Sequence, residues 1–425
     1  MNKLAVYGGP PEVSRPLEIY NSIGEQEIEA VCDVMKSGKL SGFIGEWCDE
    51  FFGGGKVRDF EDAWATQFGS KNAVAVNSNT SGLIAALGAA GLSPGDEVIV
   101  PPYTMSATVV TPLIYGCIPI FVDIEPDTFC LDPDKVKRAI SKKTKAIIVV
   151  SLFGHPGRLH ELRKIADEHN LCLIEDAAQA PMATENGSYV GTVGHIGVYS
   201  LNCHKHIQTG EGGICITDDE DLALRMCAIR NHGENVVTPN KMKDITNMVG
   251  MNLRMTELNA AIGIEQLKKL PRLVEDRIRI AKILSEATSN FPGFLPPNVR
   301  QGCRHVYYLW AGLYDAEETG VPRQLVANAL RAEGVPISEG YVKPLYLLPV
   351  FQNRIAIGRN GWPFSLSDHV YNKGDCSVVE DIYERKLLEF PICSYRLSRK
   401  NVDSIVRAFS KVFENLRFLK VTQAK

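Results

Sequence analysis

The sequence predicts an α/β protein: a large domain on a mostly parallel central sheet flanked by helices, followed by a smaller C-terminal α+β domain. Two observations carry this. From about residue 70, short β-branched runs alternate with amphipathic segments, as strand–helix–strand units do. Past residue 255 the alternation stops, and helices mix with short strands between Pro/Gly-rich joints at 291–303 and 343–364.

In chain order, "AVAV" (73–76), "DEVIV" (96–100), "IPIFVD" (118–123), "KAIIVVS" (145–151) and "LCLIED" (171–176) read as strands. Between them, segments 81–92, 106–116, 132–140 and 159–170 read as helices. "GVYSL" and "GGICIT" add two further strands around residues 199–213. Such a sheet is buried on both faces, which is why its strands are nearly continuous apolar runs. "MTELNAAIGIEQLKKL" begins a helix with Thr256 as N-cap, and Pro271 is expected to break it. The expected divisions are an N-terminal segment and active-site loop over 1–58, the large domain over 59–275 and the small domain over 276–425. Within the first, "KSGKLSGFIGEWCDEFFGGGKV" has no period and reads as a surface loop or lid.

The formal charge of −4 argues against a nucleic-acid partner, which favours a basic face. Eleven cysteines scattered with no Cys-x-x-Cys pair indicate neither a zinc ribbon nor a disulfide framework, and imply a reducing cytoplasm. The apolar runs are strand-sized, so no membrane span is expected.

Chemistry concentrates in "YSLNCHKHIQTGEGG" (199–213). His204 and His206 alternate around Lys205 and in a strand would share a face, but a zinc site needs three or four ligands and no second cluster supplies them. No metal is expected. Lys205 as a Schiff-base lysine for pyridoxal phosphate needs an acid to hold the pyridine nitrogen protonated and a helix N-terminus for the phosphate. Asp176 ends the strand "LCLIED", on the side where ligands of open α/β sheets bind. "NSNTSG" (77–82) joins strand 73–76 to the next helix, with its amides at the positive end of the helix dipole. An Asp after a strand is more often a cap, and such a junction is more often only an N-cap. Their order is more specific than either piece: phosphate turn, then Asp, then Lys.

With "AVAVNSNTSGLIAALGAAGLSPGDEVIVPPYTMSATVV", "TKAIIVVSLFGHPGRL", "LIEDAAQA" and "GMNLRMTELNAAIGIEQL", these motifs resemble the DegT/StrS-type sugar aminotransferases. These are pyridoxal-phosphate enzymes of the aspartate-aminotransferase fold, fold type I. The resemblance implies transfer of an amino group, with glutamate as donor, to a keto sugar usually carried on a nucleotide, in amino-sugar or surface-polysaccharide biosynthesis. The family has a serine five residues before its Schiff-base lysine, and Ser200 and Lys205 match that register. A related branch, the sugar 3-dehydratases, has His in place of the lysine; His204 is one residue off.

By the same resemblance Asp176 partners the pyridine nitrogen and Gln179 reaches the ring hydroxyl. Ser78, Asn79 and Thr80 form the phosphate turn, and Ser200 also contacts the phosphate. Asn79 stands where Gly is common. Asn252 in "GMNLRM" matches an asparagine that reaches the phosphate from a second subunit, which implies a homodimer with shared sites. Met105 departs from the pattern, because an aromatic ring usually stacks on the cofactor there. A thioether can cover a ring face, Tyr103 can swing in instead, or Met105 can be core filler. Two other readings stand beside the aminotransferase: a pyridoxal-dependent dehydratase, and a cofactor-binding regulatory protein without turnover.

Overall fold

A computed structural model describes residues 3–419. The first two residues of the expected N-terminal segment and the last six of the expected small domain lie outside the described residues. The central sheet has seven strands: β1 (Asn72–Val76), β2 (Glu97–Val100), β3 (Ile118–Phe121), β4 (Thr144–Val150), β5 (Cys172–Asp176), β6 (Ile196–Ser200) and β7 (Gly213–Thr217). Their order across the sheet is β1-β7-β6-β5-β4-β2-β3. All neighbouring pairs are parallel except the two that β7 makes, with β1 and with β6.

The strands are short runs buried on both faces, and two separate apolar clusters cover the sheet from either side. Helices α1 (Glu25–Ser37), α2 (Gly55–Phe68), α3 (Asn79–Ala89), α4 (Ala107–Ile114), α5 (Pro133–Ala139), α6 (Leu159–Glu168) and α7 (Glu220–Arg230) precede a 32-residue helix, α8 (Glu257–Thr288). Helix α3 passes so close to the sheet that a Cβ on Gly82 would stand 2.6 Å from Val198 Cγ1. Every strand expected from the alternation is present within a few residues.

Thr256 caps α8 by accepting from the Asn259 amide, as expected. Pro271 does not break this helix. A proline removes one i→i−4 hydrogen bond. Leu267, Leu270 and Val274, then Arg277, Ile280, Ala281 and Leu284, form one buried face at helical spacing on both sides of it. Packing of that face outweighs the lost bond. The helix therefore runs unbroken through residue 275.

A second sheet is antiparallel: β8 (Phe294–Leu295), β9 (Trp310–Tyr314), β10 (Ser338–Glu339) and β11 (Leu387–Phe390), in the order β8-β9-β11-β10. It packs with α9 (Arg323–Ala332) and α10 (Arg399–Glu414) around a third cluster, which also takes Leu4, Val13 and Leu17 from the start of the chain. Among the described residues no helix is long and apolar enough to cross a membrane. All eleven cysteines are free thiols.

The stretch 36–58 is less loose than its composition implies. Residues Asp49–Phe52 form a 3₁₀ turn, and Phe51 is fully buried. Asn231 Nδ2 donates to the carbonyls of Ile44 (2.9 Å) and Phe51 (3.0 Å). Next to it Arg230, with no exposed surface, pairs with Glu61 at 2.5 Å and donates to the Ala75 carbonyl at 3.0 Å. Glu61 in turn accepts from the Ala75 amide at 2.7 Å. This buried pair joins α7, α2 and the edge strand β1. Arg230→Met should leave Glu61 buried without its cation and lower stability by about 3–5 kcal/mol, measured by urea unfolding of the cofactor-free protein.

Candidate active site

The sheet ends where β5 and β6 deliver Asp176 and Ser200 open into a cavity of about 400 Å³. Its walls include Ser78, Asn79, Thr80, Met105, Asp176, Gln179, Ser200 and Lys205. Eight of the nine residues singled out in the sequence therefore share one cavity. Asn252 does not line it; it is exposed on the extended segment that pairs with β1.

One wall is the start of α3. Ser78 is its N-cap and accepts from the Ser81 amide at 3.1 Å, leaving the first-turn amides at the positive end of the helix dipole. The turn is seated on β7: a Cβ on Gly213 would stand 2.6 Å from the Asn79 nitrogen, so only glycine permits the approach. Asn79 turns its side chain away from the helix end, to Asp176 Oδ1 (3.5 Å) and the Val198 carbonyl (3.4 Å).

Asp176, 4% exposed, is held from two sides: Thr108 Oγ1 donates to Oδ2 at 2.8 Å, and the Ala178 amide donates to Oδ1 at 3.2 Å. It forms no ion pair among the described residues. Burial pushes its pKa up, against the lowering effect of those hydrogen bonds and of Lys205. Gln179 accepts from the Phe153 amide at 2.8 Å and donates to the Tyr341 hydroxyl at 3.1 Å.

Lys205 sits on the loop between β6 and β7, closed by Leu201 N to Gly212 O (2.9 Å) and Thr209 N to Leu201 O (2.8 Å). Asn259 at the start of α8 anchors the same loop through the Thr209 carbonyl (2.8 Å). Burial lowers the Lys205 ammonium to about 8, with Asp176 pulling the other way. Because the segment is a loop, the flanking histidines part company: His204 is exposed and His206 is 2% exposed.

Met105 is 58% exposed at the cavity wall, which removes the core-filler reading. Tyr103 is fully buried and its hydroxyl accepts from the Tyr341 amide at 3.1 Å, so it does not turn into the cavity in place of Met105. Thr108, Tyr308 and Tyr341 were not singled out from the sequence as site residues.

Residues 21–409 match the DegT/DnrJ/EryC1/StrS aminotransferase family. The chain belongs to that family. An L-glutamine:2-deoxy-scyllo-inosose aminotransferase of Streptomyces kanamyceticus is 35% identical over 373 residues, covering 84% of this chain and 85% of its own. GDP-perosamine synthase of Caulobacter vibrioides is 35% identical over 296 residues, 69% of this chain and 78% of its own. Among solved structures, DesI in the presence of its TDP-sugar product superposes with a TM-score of 0.79 at 29% identity, over 99% of this chain and 98% of its own. GDP-4-keto-6-deoxymannose-3-dehydratase with bound GDP-perosamine superposes at 0.75 and 27%, over 93% of this chain and 99% of its own.

The protein is thus a pyridoxal-phosphate-dependent aminotransferase of fold type I. The cavity of this aminotransferase fits the cofactor in its donor set. Among the described residues it offers a buried carboxylate with no cation, a lysine amine with no hydrogen bond, and a helix N-terminus cradled on Gly213.

Two outcomes follow from this geometry. In the cofactor-free enzyme, acylation of Lys205 should rise with pH through a midpoint near 8, below the ordinary lysine value, read by peptide mass spectrometry. Met105→Phe should leave the thermal midpoint nearly unchanged, within about 0.5 kcal/mol of stability, because the side chain is exposed.

Proposed function

We propose that the enzyme moves an amino group from glutamate, or from glutamine as the inosose relative's name has it, to the keto carbon of a nucleotide-linked sugar. We further propose that it works as a homodimer with shared sites. The observation that supports this most is the meeting of Lys205, Asp176 and the α3 N-terminus in one cavity. The names of GDP-perosamine synthase and of DesI with its TDP-sugar product point to the nucleotide carrier.

When bound, the cofactor supplies a protonated ring that accepts the electron pair released as the amine-bearing carbon loses its proton. In this reading Lys205 Nζ would hold the cofactor, and would be free as a base while the donor amine is bound. The freed Nζ then takes the proton from the donor's α-carbon, and with the keto sugar bound it returns one. A pKa near 8 suits both directions, since the amine is partly neutral and partly charged close to neutral pH. Asp176 would keep the ring nitrogen protonated, and that positive charge would offset the burial that raises its own pKa. Thr108 and the Ala178 amide keep the carboxylate aimed. Ser78, Thr80 and Ser200, with the first-turn amides of α3, take the phosphate. Gln179, fixed between Phe153 and Tyr341, meets the ring hydroxyl. Met105, exposed at the cavity wall, would cover a ring face.

A lysine in the Ser200 register separates this reading from the dehydratase one, although a dehydratase shares the fold. Turnover would separate it from a regulatory role. The deciding assay is release of 2-oxoglutarate from glutamate with a panel of nucleotide-linked 3-keto and 4-keto sugars and with free scyllo-inosose. Activity with the cyclitol alone would overturn the nucleotide assignment, and deoxygenation without amination would overturn the reaction.

Asp176→Asn should still bind cofactor but lose roughly 10- to 1000-fold in kcat, the span of the one to three pKa units that an adjacent opposite charge supplies. Asn252 lies outside its own chain's cavity, so Asn252→Ala and Lys205→Ala chains, each poorly active or dead, should recover activity when paired in one heterodimer at limiting cofactor. No recovery would place the action of Asn252 within its own chain.

A further inference from the structure

A lysine on a loop has four rotatable side-chain bonds, and something must keep its amine on target when it is not covalently engaged. Among the described residues the Lys205 ammonium makes no hydrogen bond and no ion pair. What it touches is the ring of Tyr308, with Nζ 4.4 Å from the ring centroid. Tyr308 comes from a distant part of the chain, the segment leading into β9, and lines the same cavity.

Backbone contacts fix that segment. The Tyr308 amide donates to the Phe153 carbonyl at 2.7 Å and the Val306 amide to the Gly154 carbonyl at 2.9 Å. A Cβ on Gly154 would stand 2.8 Å from the Tyr307 nitrogen, so the approach needs glycine. The lysine loop is tied to the segment from the other side, because His206 Nε2 lies 2.9 Å from the Val306 carbonyl. A carbonyl only accepts, so Nε2 carries the proton. Burial holds His206 at a pKa of about 4, which makes it a neutral donor in a fixed tautomer.

We propose that the Tyr308 ring is the seat of the Lys205 ammonium whenever the amine is free, and that His206 sets the seat by tying the lysine loop to the segment that carries Tyr308. The proposal rests on the reading of Lys205 as the lysine that carries the cofactor. Both residues act through Lys205 and are positioning residues. A cation over a ring face is attracted by the ring's negative centre, and the attraction grows when water is excluded. The seat keeps the amine in the cavity beside Asp176, where it can take a proton or recapture the cofactor. Asp176 and Cys393 are the other titratable groups that favour the charged amine, and burial opposes all three.

The test uses cofactor-free protein and the pH dependence of Lys205 acylation by acetic anhydride. Tyr308→Phe keeps the ring and should keep the wild-type midpoint. Tyr308→Leu should move it down by roughly half a unit to one and a half units, the size of a cation–ring attraction. Tyr308→Met removes the ring but keeps bulk, should shift the same way, and serves if the leucine variant does not fold. His206→Phe, which loses the donor to Val306, should also shift it downward. A midpoint unchanged or raised in the leucine and methionine variants overturns the proposal. So does a shift in Tyr308→Phe as large as theirs, which would assign the effect to the hydroxyl. Borohydride fixation in the loaded wild-type enzyme separates the two levels. A label on another lysine overturns the reading of Lys205 and this proposal with it, whereas a label on Lys205 with an unmoved midpoint overturns the seat alone.

Discussion

Asp176 puts a carboxylate at the end of a strand buried on both faces, where water screens it little and, among the described residues, no cation pairs with it. Removing a charge from water is costly unless something replaces the hydration. Thr108 and the Ala178 amide replace part of it. The remainder is open to a positively charged ligand atom, and the other features of the cavity are arranged around that demand. The α3 N-terminus offers positive potential to an anion, while Asp176 offers negative potential to a cation. A ligand carrying a phosphate and a protonated ring nitrogen satisfies both in one orientation only.

Close backbone approaches at two glycines help to hold this arrangement. Gly213 lets β7 run beneath the phosphate turn, and Gly154 lets the 306–308 segment lie against the end of β4. In each case a Cβ would displace backbone rather than a flexible side-chain tip. Elsewhere, Arg230 and Asn231 hold the glycine-rich stretch before α2 through the Phe52, Ile44 and Phe51 carbonyls, which converts a sequence without periodicity into ordered structure.

DesI, solved with its TDP-sugar product, and a 3-dehydratase superpose on this chain almost equally well, so the fold alone does not select a reaction. In the proposed reading the selection rests on the residue at one position of the β6–β7 loop, Lys205 here, and on what surrounds it. An amine can accept, hold and return a proton, and can also link to the cofactor. An imidazole at that position cannot form the same link.

What the sequence determined by itself is local. The strand–helix alternation, the Thr256 cap, Asp176 at a strand end, the Ser78 N-cap and the Ser200–Lys205 register all depend on residues within a few positions of one another. Hydrophobic period, capping and spacing report such features directly. Tertiary structure alone decided what depends on distant partners. Pro271 remains helical because the buried faces on either side of it share one core. Tyr103 is sequestered by Tyr341, 238 residues away in sequence, and Met105 is left exposed at the cavity wall. Thr108 is turned to Asp176 across 68 residues, and His206 to Val306 across 100. No period or spacing encodes these pairings. They arise when the sheet brings remote segments within hydrogen-bond reach, and the free energy of each depends on burial that exists only after the chain has folded.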